Sequence, residues 1–105
     1  MTDINDTRSF TGVTSILCAA HRSREGVLHG HTWEITAWWE GEPDAVGKRA
    51  DLDHYLTIFD HAVLADGLAW GESLGRAILI GLGCAKVEVR RPSERIYALV
   101  TLKGG

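Results

Sequence analysis

The sequence has few cysteines, no excess of basic residues and no long apolar run. Its two cysteines, Cys18 and Cys84, have apolar neighbours and are too few for a disulfide framework, which indicates buried free thiols. The formal net charge of −3 provides no basic surface for a nucleic-acid backbone. Residues 1–9 lack the apolar run of a secretory signal, and no segment has the length of a membrane span. We therefore expect a cytoplasmic protein that binds neither nucleic acid nor membranes.

The length of 105 residues is typical of one domain, which we expect to span residues 1–105. No internal repeat, low-complexity run or linker divides the sequence, so any site must be built within this domain or between copies of it. A domain of this size buries a modest part of its surface when it folds alone. Self-association would therefore favour its stability.

Alternation of apolar and polar residues predicts four strands. It is clearest in the segment whose odd positions are His31, Trp33, Ile35, Ala37 and Trp39. The predicted strands span residues 10–20, 31–39, 85–90 and 95–102. The expected apolar face of the last strand consists of Ile96, Ala98, Val100 and Leu102.

Helical spacing predicts two helices between the second and third strands. The first spans residues 50–59, after a turn at residues 41–44 and a break at Gly47. The second spans residues 70–82 and ends before Gly83. Their apolar positions are Leu52, Tyr55, Leu56 and Phe59 in the first, and Leu74, Ala77, Ile78 and Gly81 in the second. The order ββααββ predicts an α+β fold with both helices on one side of a sheet, whose unpaired edges favour homo-oligomers.

Three histidines, His21, His29 and His31, have the spacing of metal ligands. Residues two apart in a strand share a face, so His29 and His31 project together, and a turn through residues 22–28 would bring His21 back to them. Three imidazoles with one open position are typical of catalytic zinc sites, whereas structural sites close their shell with four protein ligands. The alternative is a group of polar residues at a strand end. We predict a Zn²⁺ site whose fourth position is open to water or substrate.

Three segments resemble the 6-pyruvoyl-tetrahydropterin synthase family, which includes the 6-carboxytetrahydropterin synthases of queuosine biosynthesis. They are residues 19–21 (Ala-Ala-His), 28–33 (Leu-His-Gly-His-Thr-Trp) and 59–61 (Phe-Asp-His). The resemblance covers nearly the whole chain, and its specific part is the order of the histidines. It implies the tunnelling fold, in which a four-stranded antiparallel sheet with two helices on one face pairs edge to edge with other copies into a β-barrel. It also implies trimers that stack into a homohexamer, with active sites between subunits.

Glu25 occupies the position, four residues before His29, at which this family commonly has a catalytic cysteine. Neither Cys18 nor Cys84 has the spacing to replace that cysteine. The sequence therefore resembles the subgroup in which glutamate stands there and the pterin side chain is shortened to a 6-hydroxymethyl product, a reaction of folate biosynthesis. A carboxylate beside zinc can act as a general base. The alternative is a solvated loop carboxylate between basic neighbours.

Asp60 and His61 match the family's Asp-His pair. The resemblance implies that His61 transfers protons and that Asp60 orients or charges its ring, since a carboxylate fixes the tautomer of an imidazole. The alternative is a capping pair at the end of a helix. His54 has no such context, and we predict that it is an exposed helix residue.

Arg91 stands where the family has a glutamate that anchors the pterin ring. A guanidinium only donates hydrogen bonds, so Arg91 suits a carboxylate or phosphate on the ligand. A shifted alignment would assign the anchor to Glu88 or Glu94 instead. Glu72 resembles a family glutamate at the start of the second helix. The alternative is that the Glu72 carboxylate only stabilises the helix, through its favourable interaction with the helix dipole.

These features together predict a zinc-dependent lyase or synthase that acts on the side chain of a dihydroneopterin-like substrate. The predicted residues are His21, His29 and His31 as metal ligands, Glu25, Asp60 and His61 in catalysis, and Glu72 and Arg91 in substrate binding. Two alternatives stay open: a related zinc enzyme with an anionic non-pterin substrate, and a non-catalytic oligomer that retains the metal site. The expected partners are a small molecule and further copies of the chain, as a trimer or hexamer.

Overall fold

A computed structural model describes residues 2–22, 28–61, 64 and 71–103, with the backbone alone at positions 21, 22, 28 and 29. The strands β1 to β4 span Phe10–Arg22, Leu28–Glu40, Lys86–Arg91 and Ile96–Thr101. The helices α1 and α2 span Ala45–Leu56 and Gly71–Leu82, and short 3-10 turns span Ile4–Asp6 and Pro92–Glu94. No helix within the described ranges is long and apolar enough to cross a membrane.

The four strands form one antiparallel sheet in the order β1-β2-β3-β4. Helix α1 packs against β1, and α2 packs against β3 and β4, on the same face of the sheet. This arrangement confirms the predicted α+β fold with the order ββααββ. Residues 28–40 of β2 all pair with β1, whereas β3 pairs with residues 34–38 of β2. The hairpin of β1 and β2 therefore extends past β3 at the end that carries the histidines.

Both hairpin strands are longer than the sequence predicted. β1 continues past residue 20 to Arg22, and β2 begins at Leu28 rather than at residue 31. Pairing continues to Arg22 opposite Leu28, because a hydrogen-bonded partner keeps the backbone extended where the side-chain pattern is weak. His21 and His29 therefore lie within strands.

The hydrophobic core lies between the sheet and the helices. Trp33, Ile35 and Ala37 of β2 are buried on the same face, as their alternation predicted. The helices add Leu52 and Leu56 from α1 and Leu74, Ile78 and Leu79 from α2. On the outer strand β4, Ala98 and Val100 are half-buried. Ile96 lies on the same face beside Ala98 and the start of α2, although it is exposed. Leu102 lies beyond the end of β4 and is exposed, so the predicted face is wrong there.

Helix α1 begins at Ala45 rather than at residue 50, and Gly47 lies inside it instead of breaking it. Glycine costs about 1 kcal/mol relative to alanine inside a helix, which local contacts can offset. Lys48 provides such contacts. Its N–H donates to the carbonyl of Asp44 at 2.9 Å, and its ammonium lies 5.4 Å from the centre of the Trp39 ring.

Helix α2 begins at residue 71 and ends before Gly83, as predicted within one residue. Gly83 has a φ of +66°, in the left-handed region that favours glycine at the end of a helix. The buried face consists of Leu74, Gly75, Ile78 and Leu79. Ala77 is half-buried beside this face, whereas Gly81 is exposed, so the predicted buried position is wrong for Gly81. Gly75 faces the sheet instead, because a Cβ there would lie 2.9 Å from Cγ2 of Val100.

The face of the sheet opposite the helices is polar at its centre and apolar near its outer strands. Arg90 of β3 pairs there with Glu34 and with Glu88, the latter at 3.3 Å. The large exposed apolar side chains on this face are Ile16, Tyr97 and Leu99.

Both cysteines are free thiols. Cys84 is buried, as predicted, and burial raises the pKa of its thiol. Cys18 is only half-buried, so the prediction is wrong for this residue. The reason is the strand alternation: the neighbouring Leu17 and Ala19 face the core, and Cys18 faces away from it.

Candidate metal and active site

The strand register brings the three predicted metal-ligand positions to one face of the hairpin. His21 is opposite His29, and Ala19 is opposite His31. Directly opposite residues of antiparallel strands share a face, with Cα atoms about 4.5–5.5 Å apart. Positions 29 and 31 share a face because they are two residues apart. All three positions therefore stand together on the face that carries Trp33 and the core.

The described contacts of the His31 side chain include Glu94 and Trp33. Its Nδ1 lies 2.8 Å from Oε1 of Glu94, and its ring meets that of Trp33 edge to face, with centroids 5.8 Å apart. The His31 side chain is 16% exposed, and that of Glu94 is 31% exposed. In a neutral imidazole that donates from Nδ1, the lone pair that a metal requires is on Nε2.

Glu94 lies at the corner between β3 and β4. The 3-10 turn Pro92–Glu94, followed by a residue with a left-handed φ of 58°, brings the chain back against β2. The Ser93 hydroxyl donates to the Glu94 carboxylate and lowers the pKa of that carboxyl, and Arg91 and His31 lower it further. The sequence suggested Glu94 only as a substitute ring anchor. The turn residues Pro92 and Ser93 indicated the corner but not the direction of the carboxylate.

Asp60 and His61 lie against the outer edge of β1. The His61 N–H donates to the carbonyl of Cys18 at 2.5 Å, and the Leu64 N–H donates to that of Ala20 at 2.7 Å. Oδ1 of Asp60 accepts a hydrogen bond from the Cys18 N–H at 3.0 Å. The chain that follows α1 therefore pairs with the end of β1 that carries the first histidine. No side-chain pattern signals this pairing, because most of its bonds are between backbone atoms.

Asp60 also contacts the ring of His61, with Oδ2 2.8 Å from Nδ1. The described side-chain bonds of Asp60 go to β1 and to His61. Its backbone N–H donates to the carbonyl of Leu56, the last residue of α1, at 3.0 Å. The N–H of Cys18 lowers the pKa of the Asp60 carboxyl, and His61 lowers it further. The His61 side chain is 81% exposed. Its ring is thus oriented by a carboxylate and accessible to a bound molecule.

His31 and His61 line the same cleft, which has a volume of about 390 Å³. The remaining lining residues are Cys18, Ala19, Ala20, Gly30 and Thr32, from β1 and β2. This volume lies in the range of small-molecule sites, about 300–1,000 Å³. The cleft therefore joins one predicted metal ligand to one predicted proton-transfer residue.

Glu72 and Arg91 line a second cavity of about 150 Å³, beside Trp33 and the start of β4. Glu72 lies in the first turn of α2, where a carboxylate interacts favourably with the helix dipole. The two predicted substrate-binding residues therefore line one cavity, on the side of the sheet that carries the helices.

The Arg91 guanidinium packs against the Trp33 ring and forms an ion pair with Glu94. Its guanidinium carbon lies 5.3 Å from the centre of the Trp33 ring, and its Nη2 lies 3.8 Å from Oε1 of Glu94. Its Nε is buried without a hydrogen-bond partner among the described residues. Glu88 pairs with Arg90 on the opposite face of the sheet, which excludes it as a ring anchor in this cavity.

Some predicted residues lie outside the described part of the chain. Glu25 is one, and the side chains of His21 and His29 are others. Among the side chains that are described, no three histidine, cysteine, aspartate or glutamate residues form a group that could hold a metal ion. That set includes only His31 of the predicted ligands. His54 is exposed on α1, as predicted.

Comparison with protein-family models gives no match for this chain, and no curated protein matches its sequence. The relation to the pterin synthase family therefore stays a prediction from the motifs. The hairpin, the two cavities and their side chains provide the structural grounds for a function.

Proposed function

We propose that this protein is a zinc-dependent lyase or synthase of the 6-pyruvoyl-tetrahydropterin synthase type, which acts on the side chain of a dihydroneopterin-like substrate. The observation that carries the proposal is the register of β1 and β2. His21 stands opposite His29, and His31 follows on the same face. Three histidines with one open position are a known form of catalytic zinc site.

The donors in this part of the chain suit Zn²⁺. Imidazole nitrogen is among its preferred ligands, and the contact between Nδ1 of His31 and Glu94 resembles the outer carboxylate that zinc-bound histidines commonly have. When bound, Zn²⁺ would act as a Lewis acid that stabilises negative charge on oxygens of the substrate side chain. The ligands His21, His29 and His31 would hold it at the cleft that His61 also lines.

Proton transfer is assigned to His61, Asp60 and Glu25. Asp60 holds Nδ1 of His61, so Nε2 is the ring atom that gives or takes a proton. Glu25 is the general base that removes a proton from the substrate side chain. Its support is its spacing of four residues before His29.

Substrate recognition is assigned to the cavity beside Trp33. The Glu72 carboxylate can accept hydrogen bonds from the ring N–H groups of a pterin, and Arg91 can donate to a carbonyl or an anionic group. The volume of about 150 Å³ is smaller than that of most ligand sites. A second copy of the chain would complete it, which agrees with the expected trimer or hexamer built by pairing of sheet edges into a β-barrel.

Turnover of a dihydroneopterin-type substrate by the zinc-loaded protein tests the proposal. We expect a product with an altered side chain, identified by mass spectrometry. His61→Ala and Glu25→Gln should each lower kcat by about 10²- to 10⁴-fold and retain zinc. His54→Ala, at an exposed histidine of α1, is the matched control and should leave kcat unchanged. Absence of turnover by the zinc-loaded wild type would contradict the enzymatic proposal.

A zinc enzyme with an anionic, non-pterin substrate is the second candidate, and Arg91 favours it. The buried Nε of Arg91 lacks a hydrogen-bond partner among the described residues, and an anionic ligand group would provide one. Arg91→Glu should then weaken binding of carboxylated analogues and strengthen binding of neutral pterins, each by about 5- to 150-fold. Lys103→Glu changes the net charge equally at an exposed site. Calorimetry that finds equal pterin affinity in the wild type and Arg91→Glu would remove this candidate.

A further inference from the structure

We propose that Glu94 is a positioning residue of the zinc site: its carboxylate holds Nδ1 of His31 and thereby directs Nε2 of the same ring towards the metal. This inference rests on the proposed function, because it takes His31 as a zinc ligand. It gives Glu94 a role that differs from the anchoring of a substrate ring.

The contact between Glu94 and His31 has the geometry of a charge-assisted hydrogen bond. Oε1 and Nδ1 are 2.8 Å apart, and the two side chains are 31% and 16% exposed. The Trp33 ring, nearly perpendicular to that of His31, limits rotation of the imidazole on another side. The ring is therefore fixed in both its tautomer and its orientation.

Glu94 is itself held in place. The hydroxyl of Ser93 donates to Oε2, and Arg91 brings positive charge to within 3.8 Å of Oε1. The backbone is fixed by the 3-10 turn Pro92–Glu94 at the corner between two paired strands. A carboxylate held in this way loses little further conformational entropy when it orders a neighbouring ring.

Each oxygen of the Glu94 carboxylate already has a partner in the fold. A ring anchor accepts two hydrogen bonds from a pterin, which requires both carboxylate oxygens. Here Oε1 faces His31 and Oε2 accepts from Ser93. Loss of an outer carboxylate of this kind typically lowers metal affinity by about 10- to 100-fold.

Chelator competition with the zinc-loaded full chain tests the proposal. Glu94→Ala should weaken zinc affinity by about 10- to 100-fold, and Glu94→Gln by less, because its amide oxygen still accepts a weaker hydrogen bond. Glu42→Ala, at an exposed glutamate of the turn after β2, is the control and should retain wild-type affinity. In cobalt-substituted protein, the visible absorption bands should change in Glu94→Ala and return towards those of the wild type in Glu94→Gln.

Wild-type zinc affinity and wild-type cobalt bands in Glu94→Ala would overturn the inference. If circular dichroism shows that Glu94→Ala does not fold, Glu94→Gln decides, and unchanged affinity in that variant overturns the inference as well. A wild-type protein that fails to bind zinc would contradict the proposed function itself. The two failures are therefore distinguishable.

Discussion

At the scale of single residues, the Asp60 carboxylate contacts both the backbone of β1 and the side chain of a candidate catalytic residue. One of its oxygens accepts from the Cys18 N–H at 3.0 Å, and the other lies 2.8 Å from Nδ1 of His61. Both contacts favour the ionised carboxylate and lower its pKa. Ionisation of Asp60 therefore both secures the chain after α1 against β1 and orients the His61 ring.

Asp60→Asn should destabilise the protein at neutral pH and have less effect in acid. Because the pKa of Asp60 is lower in the folded state, its contribution to stability is fully present above roughly pH 4 and is lost as the pH falls through the folded-state pKa. Thermal unfolding of both proteins from about pH 7 to about pH 2.5 should show their melting temperatures converging. Asp51→Asn, on the exposed side of α1, is the control. Melting temperatures that diverge in acid would contradict this role of Asp60.

The sequence predicted the shared face of two candidate ligands, but it did not predict the partner of one of them. His29 and His31 were predicted to share a face because strand alternation is a local property, and the register agrees. The contact between His31 and Glu94 depends on where the corner after β3 falls relative to β2. That position is set by pairing between strands that are far apart in the sequence, so no local sequence pattern predicts it.

At the scale of elements, the two helices meet at a glycine. The Tyr55 hydroxyl of α1 donates to the Ala77 carbonyl of α2 at 3.1 Å. The Tyr55 ring lies over Gly81, where a Cβ would overlap the ring atoms. Helical spacing placed Gly81 on the buried face, but its small size instead accommodates a side chain of the neighbouring helix.

Gly81→Ala should destabilise the protein although alanine favours helices. Alanine gains about 1 kcal/mol in helix propensity, but overlap with the Tyr55 ring costs typically 1–3 kcal/mol and occasionally more. We expect a net loss of up to about 2 kcal/mol in the free energy of unfolding, measured by urea denaturation. In a Tyr55→Ala background the same substitution should be neutral or stabilising. Stabilisation by Gly81→Ala in the wild type would contradict the packing of these helices.

Element types were predictable where periodicity is strong, and element ends were not. The alternation from Trp33 to Ala37 and the glycine stop at Gly83 both appear as predicted. The start of α1 and the extension of β1 and β2 depend on tertiary contacts, such as Lys48 over Trp39 and the pairing of Arg22 with Leu28. These contacts outweigh the low helix propensity of Gly47 in α1 and the weak strand pattern at the ends of β1 and β2.

At the scale of the whole molecule, the β1 edge of the sheet is partly covered, whereas none of the described residues pairs with the β4 edge. The β1 edge is paired at Cys18 and Ala20 with residues 61 and 64. Strand β4 forms the other edge and exposes Tyr97 and Leu99 on the face without helices. Unpaired edges with apolar side chains favour association with another sheet.

We expect the wild type to sediment as a trimer or hexamer at micromolar concentration. The double variant Tyr97→Lys, Leu99→Lys should shift the protein towards monomer, because it would introduce unpaired charges into the interface. Ile80→Lys, at an exposed apolar residue on α2, is the control and should not change the mass. A monomeric wild type would contradict the proposed assembly.

The most direct test of the central claim is the zinc content of the purified protein and of its histidine variants. We expect about one zinc per chain in the wild type and in His54→Ala, because His54 lies on α1 away from the hairpin. His21→Ala, His29→Ala and His31→Ala should each lose stoichiometric zinc, since each removes one of three protein ligands. Elemental analysis after dialysis against a weak chelator measures this content. Stoichiometric zinc with unchanged affinity in all three variants would contradict the assigned site.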